Sequence, residues 1–422
     1  MGLGLNIQSI IHPIVPLVNN CALANNSHPK QLTATILCDL SKAFDVISHP
    51  ILFKKLEHCG LRGNIKNWLV NYLTDRQQFV QIGKSQSNFC KIECGVPQGS
   101  ILGPLLYLLY VNDIAHCTKS HILSFADDTT LFLSDSDPKI LFEKANIETN
   151  KLFNWFCANR LSLNPQKTKF IIIKPSKAKF DLNGLNLLIN GIPLERIGVG
   201  CKESSKFLGV ILDESLTWKQ HINHINTKIT KSLFAIKQVK HILNTDSLKI
   251  LYSALIQPHI NYGILAWGNA TKSILKHTIV LQKRAIRTIC KVQYNSHTEP
   301  LFRKFGILKI KDQFEYETTI FMNKYRLNKL PCSFDKAFSF NHDVQSRLTT
   351  RQSNQLYIQR CDSTFASKLP LFEFPKIWNK WSCAHNALIS QSMLKKHLKA
   401  EMLSHYSSVV RCVNPYCKDC QH

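Results

Sequence analysis

The sequence predicts an α+β protein: short buried strands mixed with helices up to about residue 215, then helices alone. Three observations carry that expectation. Apolar, β-branched runs of strand length, such as Thr33-Ala-Thr-Ile-Leu-Cys-Asp-Leu40 and Phe170-Ile-Ile-Ile173, recur in the first half. His121 to Leu133 sets two apolar runs on either side of Asp127-Asp128, where the chain must reverse. From His221 to Leu243, Ile222, Ile225, Ile229, Leu233 and Ile236 recur at helical spacing, with Lys228, Lys231, Lys237 and Lys240 off the stripe.

The elements follow in order. Residues 1–30 carry one formal charge, Lys30, and few helix or strand signals; Asn19-Asn20 and Asn25-Asn26-Ser27 mark loops. Thr33 to Leu40 is a buried strand. Ser48-His49-Pro50 opens a helix that carries Leu52, Phe53 and Leu56 and stops at Gly60. Ile65 to Leu73 is a second helix, and Gln78 to Ile82 alternates as a half-buried strand does. Gly103-Pro104 starts an apolar helix, since proline is tolerated in a first turn. Ile140 to Asn159 is amphipathic, and Phe170–Ile173 and Phe207–Leu212 are strands. Further helices lie around Ile250, Lys283 and Tyr316.

The chain has 422 residues, 44% of them hydrophobic, enough for two or three domains with a real core. Its formal charge is +25, from 53 Lys and Arg against 28 Asp and Glu. Such a surplus implies a polyanionic partner, nucleic acid or an acidic membrane surface. No apolar run approaches the ~18 residues that span a bilayer, and neither a signal peptide nor a myristoylation motif opens the chain. Nucleic acid is therefore the expected partner and membrane is not. The 15 cysteines are expected to be reduced, buried small hydrophobes. Together these readings imply an intracellular protein of nucleus or cytoplasm, not a secreted one.

The chemistry points to the acids. Asp127 and Asp128 repel each other on a tight hairpin, so stability alone would not select them. Asp39 ends a strand as apolar as the one before Asp127, where a carboxylate is costly unless paired or metal-bound. Antiparallel strands of one sheet could bring Asp39 and Asp127 together to bracket two Mg²⁺ ions ~3.5–4 Å apart, the spacing used for in-line phosphoryl transfer. Mg²⁺ prefers oxygen ligands and keeps phosphates and water in its shell.

Five motifs stand in register between residues 30 and 212: Asp39-Leu-Ser-Lys-Ala-Phe-Asp45, Gly95-Val-Pro-Gln-Gly-Ser-Ile-Leu-Gly-Pro104, Phe125-Ala-Asp-Asp128, Leu163-Asn-Pro-Gln-Lys-Thr-Lys169 and Lys206-Phe-Leu-Gly209. The series resembles the reverse transcriptase of non-LTR (LINE-type) retrotransposons, particularly the jockey and CR1-like groups. A less specific similarity continues through Tyr252 to Gly268 and Leu281 to Arg287. The resemblance implies an α+β polymerase palm with an antiparallel sheet backed by helices, then a helical thumb and a mostly helical C-terminal region. It divides the chain into an N-terminal segment (1–30), palm with partial fingers (31–215), basic helical thumb (216–300) and C-terminal helical region with a Cys/His tail (301–422).

The implied activity is RNA-directed DNA polymerisation by two-metal nucleotidyl transfer onto a primer 3′-hydroxyl, using an RNA template, a DNA primer and deoxynucleotides. Asp39, Asp127 and Asp128 would be the catalytic metal ligands for Mg²⁺, with Mn²⁺ able to substitute. Because neighbouring strand residues face opposite ways, Asp128 should matter less than Asp127. Phe44 would be the ribose gate. Gln98 and Gly99 would lie beside the nascent base pair, and Lys167, with Lys169 as a substitute, would face the triphosphate. Phe207, Leu208 and Gly209 would form the primer grip. Read without the resemblance, Phe44 is core packing, Gln98-Gly99 a turn, Lys167 a solvated lysine and Phe207–Gly209 a strand with a glycine bulge.

Asp45 reads as a cap for the following helix, Asp113 as no ligand, and Asp135 and Asp137 as a plain turn. Cys412, Cys417, Cys420 and His422 could hold one Zn²⁺, although the spacing fits no standard finger and a reduced tail is the simpler reading. Only 38 residues precede Asp39, and the upstream fingers motifs, the apurinic-type endonuclease and an RNase H pattern are not found. The alternative function is therefore a truncated, catalytically weak or inactive nucleic-acid-binding remnant of such an element. A group II intron maturase would keep the palm, but the wording after residue 216 argues against it.

Overall fold

The run beginning at Thr33 does form a strand, β1 (Leu32–Cys38), and a sheet grows on both of its edges. The computed structural model describes residues 7–174, 180–198, 206–335, 337–344, 355–361, 366–382 and 390–406. They fall into two units. One runs from His28 to Ser205; the other joins a first helix, α1 (Ile7–Asn26), to the residues from Lys206 onward.

In the first unit β1 leads to β2 (Leu40–Ser41), α2 (His49–His58), α3 (Gly63–Leu73) and four two-residue strands. These are β3 (Gln77–Gln78), β4 (Gln81–Ile82), β5 (Ser85–Gln86) and β6 (Cys90–Lys91), all exposed. The half-buried strand expected at Gln78–Ile82 is thus two short strands with nothing packed over them. Next come α4 (Leu102–Val111), the hairpin of β7 (His121–Phe125) and β8 (Asp128–Asp135), and α5 (Pro138–Ala158). The strands β9 (Ser162–Leu163), β10 (Lys169–Ile173), β11 (Leu188–Ile189), β12 (Ile192–Pro193) and β13 (Glu195–Ile197) follow. The main sheet has the order β13-β10-β1-β8-β7, and every pairing is antiparallel except β10 with β13.

β1 sits at the centre because it can be buried on both faces. Leu32, Ala34, Ile36 and Cys38 point into a core shared with Leu131, Phe170, Ile172 and, from α5, Leu152 and Phe156. Each fully buried Leu, Ile or Phe contributes about 1.5–3 kcal/mol. On the other face Thr33 and Thr35 are also buried, and the Thr33 hydroxyl hydrogen-bonds that of Ser134 at 2.8 Å. Helix α5 covers β1 and β8, while α4 packs on α2. The Asp137 side chain caps α5 by accepting from the Lys139 N–H, so this turn does more than reverse the chain.

The second unit opens with the hairpin β14 (Lys206–Phe207) and β15 (Val210–Ile211), not the single strand expected over Phe207–Leu212. Helices α6 (Lys219–Val239), α7 (Thr245–Leu255), α8 (Gln257–Asn261), α9 (Ile264–Trp267), α10 (Lys272–Cys290), α11 (Glu299–Phe305), α12 (Ile310–Arg326), α13 (Asn341–Val344), α14 (Pro370–Ser382) and α15 (Gln391–Ser404) follow. The stripe Ile222, Ile225, Ile229, Leu233 and Ile236 is buried, as its spacing requires.

Helix α1 overturns the reading of residues 1–30 as loop-rich. Ile14, Val15, Leu17, Val18, Cys21 and Ala22 are essentially inaccessible, and the helix packs on α9 and α14. Pro13 and Pro16 argue against a helix locally, but burial of its apolar stripe outweighs them. Four of the described cysteines, Cys59, Cys90, Cys94 and Cys157, are exposed rather than buried: Cys59 and Cys157 lie at helix ends, Cys90 on the exposed strand β6 and Cys94 at an isolated bridge to Ser48.

Candidate active site

Strand register places the three acids. Cys38 pairs with Thr129 as the last rung between β1 and β8, so Asp39 and Asp128 continue those neighbouring strands on the same side of the sheet. Asp127 occupies the turn between β7 and β8, after Ala126. Ala126 holds φ at 53°, a left-handed conformation that costs an L-residue roughly 1–2 kcal/mol. This strained two-residue turn keeps Asp127 at the exposed tip beside the end of β1.

The motif at 163–169 fixes Asp39 from the other side. The Asn164 N–H donates to the Asp39 carbonyl at 2.9 Å, and the Asp39 N–H donates to Thr168 Oγ1 at 3.4 Å. The Asn164 side chain accepts from the N–H groups of Gln166 and Lys167, which closes the turn locally. Lys167 is thereby held with Nζ 3.9 Å from Asp39 Oδ2, yet its side chain stays 70% exposed. Lys169 is instead engaged with Glu195 at 3.0 Å, and so is not a ready replacement.

Phe44 is half-buried and packs on Tyr107 of α4, with ring centroids 4.6 Å apart. Tyr107 is itself almost wholly buried, and burial together with the charges of Asp127 and Asp128 pushes its phenol pKa up. Sequence reasoning missed this residue. The signal was present: a tyrosine in the apolar run Leu105-Leu-Tyr-Leu-Leu-Tyr110 needs a polar neighbour for its hydroxyl.

Gln98 donates from Nε2 to Asp45 Oδ1 at 2.7 Å. That contact corrects the reading of Asp45 as a helix cap; Ser48 occupies the N-cap of α2, without a side-chain bond. The segment is drawn close by backbone pairing. Val96 N–H donates to the Phe44 carbonyl and Gly95 N–H to that of Ile47, at 2.9 and 2.8 Å. A Cβ on Gly95 would lie 2.7 Å from the Asp45 carbonyl oxygen, so only glycine fits there. Gly99 has φ 80° and open space around it. Beside Gln98 opens a cleft of about 710 Å³ whose walls include Lys42, Asp45, His49, Arg76, Lys91 and Gln98. Its three cations were not singled out in the sequence, because isolated Lys and Arg carry no spacing signal.

The neighbouring carboxylates leave an electrostatic mark on Asp128. Partial desolvation, then the negative charges of Asp127 and Asp39, hold the Asp128 pKa above the ordinary 3.8. Like charges raise one another's pKa in this way when no cation separates them. The donors are all carboxylate oxygens, the set Mg²⁺ takes. Among the described residues no three His, Cys, Asp or Glu side chains converge as a ready-made metal cage. Mg²⁺ usually takes one or two carboxylates and completes its shell with substrate phosphates and water, so the donor set fits it.

The remaining candidates separate. Asp113 pairs with Lys55 at 2.7 Å and Asp135 with Lys144 at 2.6 Å. Phe207, Leu208 and Gly209 belong to the second unit, where Leu208 and Gly209 form the turn between β14 and β15. Cys412, Cys417, Cys420 and His422 lie outside the described residues. Among the described residues no helix is long and apolar enough to cross a membrane.

The chain is similar in sequence to known proteins. Residues 6–212 match the family model described as reverse transcriptase (RNA-dependent DNA polymerase). The chain is 29% identical over 314 residues to the probable RNA-directed DNA polymerase from transposon BS of Drosophila melanogaster, covering 70% of this chain and 33% of that protein. It is 24% identical over 337 residues to the RNA-directed DNA polymerase from mobile element jockey of the same species, covering 76% and 36%. The chain thus spans about a third of the length of these curated relatives. Among solved structures, a Candida albicans telomerase in complex with a telomeric RNA fragment covers 74% of this chain and 52% of that chain, at 14% identity and a TM-score of 0.32. From residue 6 to 212 the chain carries a reverse transcriptase domain, similar to those of the jockey-type non-LTR retrotransposons.

Proposed function

We propose that the chain is the polymerase part of a non-LTR retrotransposon protein and extends a DNA primer on an RNA template. The observation that supports this reading is the register that sets Asp39 and Asp128 at the ends of paired strands with Asp127 in the adjoining turn, where partial desolvation and then the charges of Asp127 and Asp39 raise the Asp128 pKa. Mg²⁺ held by Asp39 and Asp127, with Asp128 in a lesser role, would supply positive charge for the attacking 3′-oxygen and the departing pyrophosphate.

The chain's own residues position the rest. Phosphoryl transfer depends almost wholly on alignment and charge stabilisation. The Phe44 ring, supported from below by Tyr107, offers a flat floor for a deoxyribose and no room for a 2′-hydroxyl. The Gln98 amide nitrogen is committed to Asp45, which leaves its oxygen to accept from template or nucleotide. Lys167 is only loosely paired with Asp39 and can turn to a phosphate. Lys42, Arg76 and Lys91 in the neighbouring cleft add positive charge for the triphosphate. Leu208 and Gly209 hold a fixed turn for the primer backbone.

The test is primer extension on poly(rA)/oligo(dT) with Mg²⁺ or Mn²⁺. Extension that disappears with chelator and in Asp127→Asn supports the reading. Binding of primer–template without any incorporation by the unaltered chain would instead leave a nucleic-acid-binding protein.

A further inference from the structure

Asp39 stands at a break in its own strand. β1 pairs with β10 as far as Leu37 opposite Lys169, and β2 pairs with β9 from Leu40 opposite Leu163. Between those rungs the partner chain loops out over residues 164–168, so Asp39 has no ladder partner on that side. In a hydrogen-bonded antiparallel pair one opposite residue satisfies both the N–H and the carbonyl. Here two residues of the loop share that work. Thr168 Oγ1 accepts from the Asp39 N–H at 3.4 Å, and the Asn164 N–H donates to the Asp39 carbonyl at 2.9 Å.

These two bonds act on the peptide planes before and after Asp39, since its N–H lies in the plane shared with Cys38 and its carbonyl in the plane shared with Leu40. Holding both planes fixes φ and ψ at Asp39, and with them the direction of its Cα–Cβ bond. The tie from Asn164 is backbone and would survive another side chain there. The tie from Thr168 depends on one hydroxyl, on a residue that is 0% exposed. Valine would fill the same space without desolvating a polar atom. The loop closes without the hydroxyl, because the Asn164 carbonyl already accepts the N–H groups of Lys167 and Thr168 at 3.2 and 2.9 Å. The hydroxyl adds a third bond to that carbonyl at 2.8 Å. Its hydrogen is thereby turned to Asn164, and the oxygen is left as an acceptor where Asp39 lacks one.

We propose that Thr168 is a positioning residue for nucleotidyl transfer: its hydroxyl sets the aim of the Asp39 carboxylate, and the same loop keeps Lys167 Nζ 3.9 Å from that carboxylate. This role rests on the proposed function and adds to it a residue too buried to touch substrate. Misplacement of a reacting group by 1 Å can cost ~10²-fold in rate, so one bond beneath a metal ligand has a measurable effect.

Thr168→Val keeps the shape and removes the hydroxyl; Thr168→Ser keeps the hydroxyl. In primer extension by the full chain, Thr168→Val should lower kcat roughly tenfold, with little change in KM for dTTP, and should raise the half-saturating Mg²⁺ concentration several-fold. Thr168→Ser should restore both. Thr168→Ala gives the same contrast with serine if valine at this position impairs folding. Thr149→Val removes another buried hydroxyl, bonded to the Ala145 carbonyl at 2.6 Å within α5, and should leave the Mg²⁺ requirement unchanged. A merely structural Thr168 would reduce the amount of active chain and spare the Mg²⁺ requirement. That result, or a serine variant no better than valine, would overturn the proposal.

A readout without turnover separates this role from the polymerase reading. Mn²⁺ titrated into the full chain, followed by the electron paramagnetic resonance signal of the free ion, should bind several-fold more weakly to Thr168→Val than to the unaltered chain or Thr168→Ser. Should the unaltered chain extend no primer while that difference holds, the proposed function falls and the tie between Thr168 and metal binding at Asp39 stands. Equal Mn²⁺ affinities would overturn the tie, whatever the extension assay shows.

Discussion

Two hairpin turns, Ala126-Asp127 and Leu208-Gly209, each hold a residue other than glycine in the left-handed region, and differ in what keeps it there. Ala126 has φ 53° and Leu208 φ 46°. In the second unit, tertiary contacts determine the conformation. The Tyr262 hydroxyl donates to the Leu208 carbonyl, and Gly209, at φ 78°, leaves space for that same ring: a Cβ there would come within 2.9 Å of the hydroxyl. In the first unit, Ala126, Asp127 and Asp128 are all exposed, and the neighbouring charges repel. One turn is stabilised from inside the protein. The other keeps its left-handed residue in the open, beside carboxylates that repel one another.

The largest expected effect tests the exposed turn. Asp127→Asn should lower primer extension by on the order of 10³-fold, the scale seen when one electrostatic contact to a transition state is removed. Thermal unfolding should show the variant as stable as the original or more so. A variant that unfolds early would mean that the carboxylate is structural, and the contrast between the turns would fail.

The buried turn should respond the other way. Tyr262→Phe removes the bond to Leu208 and should destabilise the chain by about 1 kcal/mol, read as a lower denaturant midpoint. No loss would mean that Leu208 is not held by this contact.

A smaller effect is set by pH. The Asp128 pKa is raised on folding, so its ionised form disfavours the folded state. That penalty is absent below the ordinary 3.8 and grows as pH rises through the raised folded value. Asp128→Asn should therefore raise Tm slightly at pH 7, by less than about 2 °C for an exposed carboxylate, and the gain should vanish towards pH 3. A gain that persists in acid would assign it to something other than charge.

The smallest effect sharpens the backbone half of the comparison. Ala126→Gly should stabilise the hairpin by up to about 1 kcal/mol, because glycine accepts positive φ without strain. If extension falls in the same variant, the strain itself helps to aim Asp127.

Much of this was legible in the chain. Periodicity located β1, α5 and the buried stripe of α6, because each repeats one apolar spacing over enough residues to be read. The acids stood out because repelling charges at strand ends have no packing purpose. Helix α1 was hidden by two prolines, whose local cost is outweighed by burial that no local window contains. The exposed strands β3 to β6 imitate a half-buried strand, because alternation records composition and not what lies over it.

By itself, then, the sequence determined the strongly periodic segments, β1, α5 and α6, and which carboxylates lie at the ends of β1 and β8. Those are local matters of periodicity and charge. Only the tertiary structure decided that Tyr107 lies under Phe44, that Asp45 takes the Gln98 amide, that the lysines and arginines of α6 and α10 face one cleft, and that α1 belongs with the second unit. Each of those joins residues far apart in the chain, and such contacts are fixed by close packing of whole elements rather than by any preference a short segment carries.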